Sequence, residues 1–521
     1  MTKRTARNIE RGRVLPGAHD LLLALGSGIL LILSFPKFGA GIFAWIGLIP
    51  LFYALRNKNP GQGLLLGLAA GLTAHIGIMY WIVYVVVNYG YLPYPVGVAA
   101  MLLLASYLSV YTGLFAAAVA FFQQRRTPLW LVAPVIWVVL EYGKAHLLTG
   151  FPWENLGYSQ YRYLPLIQIA DLTGVYGVSF LIVLVNVLMF HALSHRQNKK
   201  TLTAAVSAVL GVILLNYGYG IYRLQETKTL AATATSLKVR MVQGNIDQSV
   251  KWNPQYQRET IRAYTSLSEA GGVRPELVVW PETAFPAFFQ DENEMHREVS
   301  SLARKIGSWL LFGSPAYEKR SQELVLFNSA FVLAPDGTIA GKYDKVHLVP
   351  YGEYVPLRRF FPFINKLVAG IGDFGTGPGY SPLAMGARRV GVLICYEGIF
   401  PAAARDYKRE GADFLVNITN DAWFGHTSAP YQHLSMTVFR AVENRLDVVR
   451  AANTGISALI SASGKIAAEL DLFKTGSLDV SVNIYNKNTL YTRWGDLFVY
   501  LCATALFLLY INITMRRKYH D

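Results

Sequence analysis

Cysteine is almost missing from this chain of 521 residues: there are 2, Cys395 and Cys502, and Cys502 sits in a long apolar run near the C-terminus. Such a pair supports no disulfide framework, so the compartment has to come from topology. Charge is short as well, at 16% of residues, where a soluble enzyme carries about a quarter. No glycine-rich phosphate-binding loop occurs, and His347, His426 and His433 follow no metal-ligand spacing. They read as polar loop residues; no metal and no cofactor is expected. Acidic residues number 33 against 48 basic ones, a net charge of +15. An excess of that sign suits nucleic acid or an anionic membrane surface, and its placement along the chain decides for the membrane.

Long apolar runs are what the chain has in place of charge. Runs of about 20 residues cross a bilayer core. Seven precede residue 225, at about 21–36, 39–55, 62–87, 95–122, 129–148, 174–193 and 202–222, and an eighth covers about 497–515. Further spans follow the first one immediately, so it reads as a span and not as a cleaved signal peptide. One set of connections collects the basic residues: Lys3, Arg4, Arg7, Arg11 and Arg13, then Arg56 and Lys58, Arg125 and Arg126, Arg196, Lys199 and Lys200, and finally Arg516, Arg517 and Lys518. The opposite short loops hold Lys37 and Arg162, with Lys144 at a span end. By the positive-inside rule both termini are cytoplasmic, and residues of about 225–495 lie outside the cytoplasm, in the periplasm of a bacterium. The basic charge is therefore topological, and nucleic acid is not an expected partner. The expected organisation is an α-helical bundle over 1–225, an extracytoplasmic α/β catalytic domain over 226–495, and a last helix with a cytoplasmic tail over 496–521.

Two membrane features have competing readings. Glu141 and Lys144 share one helix face near the outer end of a span. Intramembrane ionisable residues are functional candidates, but here snorkelling to the interface is the simpler reading. The loop FPWENLGYSQYRYLP (151–165) reads either as an aromatic belt or as a surface that guides lipid toward the outer domain.

From Leu237 the pattern changes to short strands alternating with amphipathic helices. LKVRMVQGN, ELVVWPE, SWLLFGSP, FNSAFVLAPDG, TIAGKYDK, RRVGVLICYEG and ADFLVNITND read as strands, and ISALISASGKIAAEL as a hairpin. NPQYQRETIRAYTSLSEAGG, FPAAARDYKREG and APYQHLSMTVFRAVENRLD read as helices, giving layered α/β. Three strands end in Glu282, Lys345 and Cys395, and ligands gather beyond strand ends in α/β sheets. A lone buried cysteine is ordinarily a packing residue, and a free thiol is only a few per cent thiolate at neutral pH. A carboxylate raised toward neutrality by burial takes the thiol proton, and a fixed ammonium stabilises the thiolate and then an oxyanion. Those are the parts acyl transfer through a thioester requires.

WPETAFP, GKYDKVHLVPYGEY and ICYEG resemble the glutamate, lysine and cysteine motifs of the nitrilase (carbon–nitrogen hydrolase) superfamily, in the same order, 63 and 50 residues apart. The resemblance covers roughly 235–480 and implies an αββα sandwich. It makes Glu282 the general base, Lys345 the oxyanion stabiliser, Cys395 the nucleophile and Glu353 an auxiliary carboxylate. Tyr396 and Glu397 follow the nucleophile, where backbone N–H groups help form an oxyanion hole; Glu397 equally well opens the next helix. Trp252, Trp423 and Phe424, in loops flanking the pocket, either hold acyl chains or pack the core.

Spans on both sides of such a domain, together with QGNIDQSVKW and ITNDAWFG, are similar to the apolipoprotein N-acyltransferase family, its membrane-bound branch. That resemblance implies an inner-membrane enzyme that takes an acyl chain from a phospholipid, with phosphatidylethanolamine the expected donor. The acceptor it implies is the α-amine of a diacylated apolipoprotein. The alternatives are a membrane-anchored amidase or nitrilase-like hydrolase of a small amide, and a transporter whose outer domain only binds ligand. The triad speaks against the transporter, since binding needs no nucleophile.

Overall fold

The computed structural model describes residues 15–249, 251–320, 323–355 and 373–518. Lys3, Arg4, Arg7, Arg11 and Arg13 lie outside the described residues. Among those described, six helices are long and apolar enough to cross a membrane: Pro60–Met79, Tyr94–Gln124, Leu129–Thr149, Val175–Ser194, Lys199–Thr233 and Leu497–Met515. The first two expected spans are shorter, Ala18–Ser34 and Gly41–Ala54. Between them Pro36 brings no N–H to a helix, and Gly39 turns the chain at φ 66. The third expected span divides at Tyr80 into Pro60–Met79 and Trp81–Asn88. Small residues bring helices together here. A Cβ on Gly63 or Gly67 would lie 2.7 or 2.5 Å from backbone oxygens of helix Tyr94–Gln124, the close approach that a small-residue stripe allows.

Helix Lys199–Thr233 leads directly into an α/β sandwich. Its strands are β1 (Thr235–Gln243), β2 (Leu277–Val279), β3 (Trp309–Arg320), β4 (Glu323–Leu333), β5 (Ile339–Asp344), β6 (Leu383–Met385), β7 (Arg388–Ile394), β8 (Phe414–Thr419), β9 (Val448–Ala452), β10 (Ser457–Ile460), β11 (Ile466–Leu470) and β12 (Gly476–Ile484). They form two sheets of order β12-β1-β2-β3-β4-β5 and β11-β10-β9-β8-β7-β6. In the first, β1, β2 and β3 run parallel; in the second, β7, β8 and β9 do. Period-two alternation sorts the side chains. Leu277, Val279, Leu311 and Val332 face the space between the sheets, with Val392 and Val416. Val278, Leu310, Phe312 and Phe331 face Ile261 and Tyr264 of helix Pro254–Glu269 and Val299 and Leu302 of helix Glu294–Ile306.

The sandwich rests on the bundle through helix Ala429–Asn444, every residue of which except Tyr431 is buried. Gln432 Oε1 accepts the indole N–H groups of Trp81 (3.1 Å) and Trp153 (2.9 Å). Its Nε2 donates to the carbonyls of Pro36 and Ile78, both at 3.1 Å. Arg440 reaches the Tyr158 hydroxyl at 2.9 Å, and Glu443 accepts the Val175 N–H at 3.2 Å. Gln432→Leu will leave these indole and carbonyl groups buried without partners. At about 1–3 kcal/mol per orphaned group, thermal unfolding in detergent should show clear destabilisation; an unchanged midpoint would contradict this account of the interface.

Two expectations are corrected. Glu141 and Lys144 do not snorkel: each is 6% exposed, on the inward face of its helix. Most of the aromatic side chains of loop 151–165 form neither a lipid-facing belt nor an open guide, because Trp153, Tyr158 and Tyr161 are buried, with Trp153 and Tyr158 bonded to the sandwich helix; Tyr163 alone among them stays exposed.

Candidate active site

Cys395 directly follows β7 and takes φ 51, a left-handed conformation that non-glycine residues adopt only where the surroundings enforce it. A 3-10 turn, Cys395–Ile399, begins there. Glu397 pins this turn: Oε2 accepts the Ile394 N–H at 2.7 Å, while Oε1 accepts the Tyr343 hydroxyl and the Val346 and His347 N–H groups at 2.8, 2.8 and 3.1 Å. One carboxylate thus ties the end of β7 to the end of β5. Burial pushes Glu397 up to about 7, while these donors favour its ionised form.

Glu282 and Lys345 stand at the ends of two strands of the other sheet. Gly313 of β3 lets the Glu282 turn settle, since a Cβ there would lie 2.7 Å from Glu282 Cα. Glu282 Oε1 accepts from Asn328 Nδ2 at 2.8 Å, and Oε2 accepts the Asn420 N–H at 3.0 Å. Asn328 Nδ2 also donates to Glu353 Oε1 at 2.8 Å, so one amide orients both carboxylates. Lys345 Nζ lies 2.9 Å from Glu353 Oε2 and 3.9 Å from Glu282 Oε1. From the far side, Lys251 Nζ donates to the Glu282 carbonyl at 3.2 Å.

The electrostatics follow from burial. Desolvation, then the Glu282 carboxylate, push the Cys395 thiol well above its ordinary range, with Lys345 pulling it back. Desolvation also raises Glu282, against the pull of Lys345. For Lys345 desolvation works against the charge, but Glu353 and Glu282 outweigh it and hold the ammonium protonated. The resting site therefore sets a protonated thiol beside the Glu282 carboxyl group and the Lys345 ammonium. Iodoacetamide labelling of Cys395, followed by peptide mass spectrometry, should stay slow up to about pH 9, beyond the ordinary thiol value; a plateau reached below about pH 8 would show a resting thiolate instead.

A third network braces Cys395 from below. His433 Nε2 lies 3.1 Å from the Cys395 carbonyl, and Nδ1 lies 3.1 Å from both Asp421 Oδ1 and the Arg450 guanidinium. Burial, then Arg450, lower the His433 pKa against the pull of Asp421; the Cys395 carbonyl only accepts, so Nε2 carries the proton there. Arg450 pairs with Asp421 Oδ2 at 2.7 Å.

The structure brings Glu282, Lys345, Cys395 and Glu353 together and sets Tyr396, buried, against Phe400 (5.1 Å between ring centroids). Trp423 packs on Tyr89 at 4.8 Å, and Phe424 on Trp81 at 5.1 Å, both side chains of the membrane bundle. Trp252 is 39% exposed. His433 is not the polar loop residue expected but a buried helical one, because its turn of helix faces the Cys395 carbonyl. Asn328, Asn420 and Lys251 are the principal omissions. Asn420 and Lys251 fall inside ITNDAWFG and QGNIDQSVKW, two segments already singled out, whereas Asn328 sits unmarked in a strand. Arg450 carried a signal, a charge inside an otherwise apolar strand.

A family model described as "Apolipoprotein N-acyltransferase N-terminal domain" matches residues 27–188, and one described as "Carbon-nitrogen hydrolase" matches residues 238–486. The apolipoprotein N-acyltransferase of Geobacter metallireducens is 47% identical to this chain over 94% of each. That of Bradyrhizobium diazoefficiens is 34% identical over 80% of this chain and 79% of its own, and that of Pasteurella multocida 30% identical over 94% of each.

Proposed function

The chain belongs to the apolipoprotein N-acyltransferase family, and from that premise we propose that Cys395 carries the acyl group between two substrates as a thioester. The protein is an N-acyltransferase of lipoprotein maturation: the acyl chain leaves a membrane phospholipid and joins the α-amine of the N-terminal diacylglyceryl-cysteine of an apolipoprotein. The observation that carries the thioester reading is the strained turn that sets Cys395 beside Glu282 and Lys345, with Asn328 and Glu353 fixing both charges.

In the first half-reaction Cys395 Sγ attacks the ester carbonyl while its proton passes to the Glu282 carboxylate. The Lys345 ammonium, with the backbone N–H of Tyr396, offsets the charge on the tetrahedral oxygen. Collapse breaks the ester C–O bond; the leaving alkoxide takes the proton from Glu282 and departs as lysophospholipid. In the second, the neutral α-amine attacks the thioester carbonyl and gives its proton to Glu282. Collapse forms the amide and expels the thiolate, which Glu282 reprotonates. Trp423 and Phe424, packed between the domains, and Trp252 at the rim serve to keep water from the thioester.

The topology that suits this chemistry has eight spans, counting the two shorter apolar helices and joining Pro60–Met79 with Trp81–Asn88. Both termini are then cytoplasmic and the sandwich periplasmic, on the inner membrane of a bacterium. The distribution of lysine and arginine supports this orientation. The partition 1–225, 226–495 and 496–521 follows from it, with phosphatidylethanolamine as the expected donor. The test is to incubate the purified full chain with phospholipid and a diacylated peptide bearing a free α-amine. The proposal predicts equimolar lysophospholipid and N-acylated peptide. Lysophospholipid with only free fatty acid would identify a hydrolase.

A further inference from the structure

The membrane bundle holds a second polar site, which the mechanism above does not use. A cavity of about 60 Å³ lies among apolar side chains such as Leu31, Ile78 and Phe115, yet His75, Glu141, Lys144 and Glu154 also line it. Glu141 and Glu154 are each 6% exposed. Glu141 Oε1 accepts the Leu156 N–H at 2.6 Å, and Glu154 Oε1 the Ser435 hydroxyl at 3.3 Å. Oε2 of Glu154 is buried without a hydrogen-bond partner, and Oε2 of Glu141 makes no well-formed hydrogen bond although the Ser179 hydroxyl and the Trp137 indole stand beside that carboxyl group. Lys144 Nζ donates to the Trp153 carbonyl at 3.1 Å, and His75 Nδ1 meets the Gly71 carbonyl at 2.8 Å, which leaves Nε2 as an acceptor.

Buried acceptors without donors are costly, and the cavity sets two carboxyl groups against a single lysine. Ionisable groups kept at membrane depth in this way mark ligand sites. Glu154 is held in the left-handed region at φ 50, a strain that persists only where the surroundings enforce it. By the same measure a single water needs roughly 10–15 Å³, so the cavity has room for an ammonium group and the carbon that bears it.

We propose that this cavity binds a primary ammonium group, whose three N–H donors meet Glu141 Oε2, Glu154 Oε2 and His75 Nε2. The proposal rests on the acyl-transfer reading, which presents such a group twice: in the headgroup of an aminophospholipid donor and at the α-amine of the acceptor before it reacts. Occupancy has a direct route to the nucleophile, because Ser435, bonded to Glu154, shares a helix with His433, which holds the Cys395 carbonyl.

The experiment measures the two half-reactions separately on the full chain, its Glu141→Gln and Glu154→Gln variants, and Ala74→Leu, which fills the cavity from its apolar side with both carboxylates in place. Acyl loading of Cys395 is timed with phosphatidylethanolamine and with phosphatidylglycerol; discharge of preformed acyl-enzyme is timed against a diacylated peptide amine. If the headgroup is the ligand, the variants lose at least about tenfold in loading from phosphatidylethanolamine alone. If the α-amine is the ligand, they raise the KM of discharge by a similar factor at unchanged kcat, with both donors unaffected. A folded variant among the three that keeps the donor ratio and the discharge KM of the parent overturns the ammonium site. Continued loading from phosphatidylglycerol leaves the acyl-transfer reading standing in that case.

Discussion

Cys395→Ala will be folded, membrane-embedded and inactive, with amide formation down by at least about 10⁴-fold, the scale set by removal of a covalent nucleophile. The expectation of an intact fold has a structural basis. Alanine carries the same Cβ as cysteine at φ 51, and the turn is held by Glu397, by His433 on the Cys395 carbonyl and by Asn417 Nδ2 on the Leu393 carbonyl at 3.0 Å. None of these contacts uses the sulfur. Cys395→Ser will lose nearly as much, because a hydroxyl is far harder to deprotonate than a thiol that burial has already raised. Size-exclusion behaviour and thermal unfolding close to the parent's, with no amide product, are the expected readouts. Residual activity above about 1% in the alanine variant would mean that the acyl group passes between substrates without visiting the enzyme.

Glu282→Gln will lower acyl loading by about 10³-fold, in the range of a positioned general base. The substitution keeps shape but not charge. One of the two donors now facing the carboxylate, Asn328 Nδ2 or the Asn420 N–H, will meet the new amide's own N–H groups. Lys345 keeps Glu353 as its partner at 2.9 Å, so the ammonium stays in place and, on the proposed mechanism, the loss reports proton transfer. A pH signature separates this from simple misplacement. The base works only when ionised, and burial raises its pKa above the ordinary carboxylate value. Loading by the parent protein should therefore fall as the pH drops through a midpoint above about 4.5. The glutamine variant should lack that limb. An acid limb that persists in the variant would move the base elsewhere in the site, Glu353 being the nearest candidate.

The three strand-end residues were legible because each motif closes an apolar strand, and a polar residue there has no packing reason to recur with thiol, carboxylate and ammonium together. Their supports were less visible. Asn328 lies within β4, where its partners Glu282 and Glu353 are 46 and 25 residues away in sequence; only the three-dimensional pairing of β4 with β3 and β5 brings them together. His433 was misread for a related reason: polarity marked it as a loop residue, while the fold encloses it on a helix between two domains. The loop at 151–165 misled through composition, since Trp and Tyr favour a membrane interface and a domain interface equally well. Strand β12 carries the ordinary strand alternation, Leu478, Val480 and Val482 between Asp479, Ser481 and Asn483, and its nine-residue pairing with β1 is what returns the chain to the membrane. Helix Glu294–Ile306 follows a polar turn and buries only Val299, Ser300, Leu302 and Ala303, too narrow a stripe to stand out beside the spans.

The central claim is that the acyl group resides on Cys395 between substrates. Intact-protein mass spectrometry of the full chain after incubation with phospholipid alone tests it directly. The account predicts one added acyl mass, mapped to the Cys395 peptide, released by neutral hydroxylamine and transferred when a diacylated peptide amine is added. A chain that forms amide product at full rate while Cys395 never gains the acyl mass would contradict it.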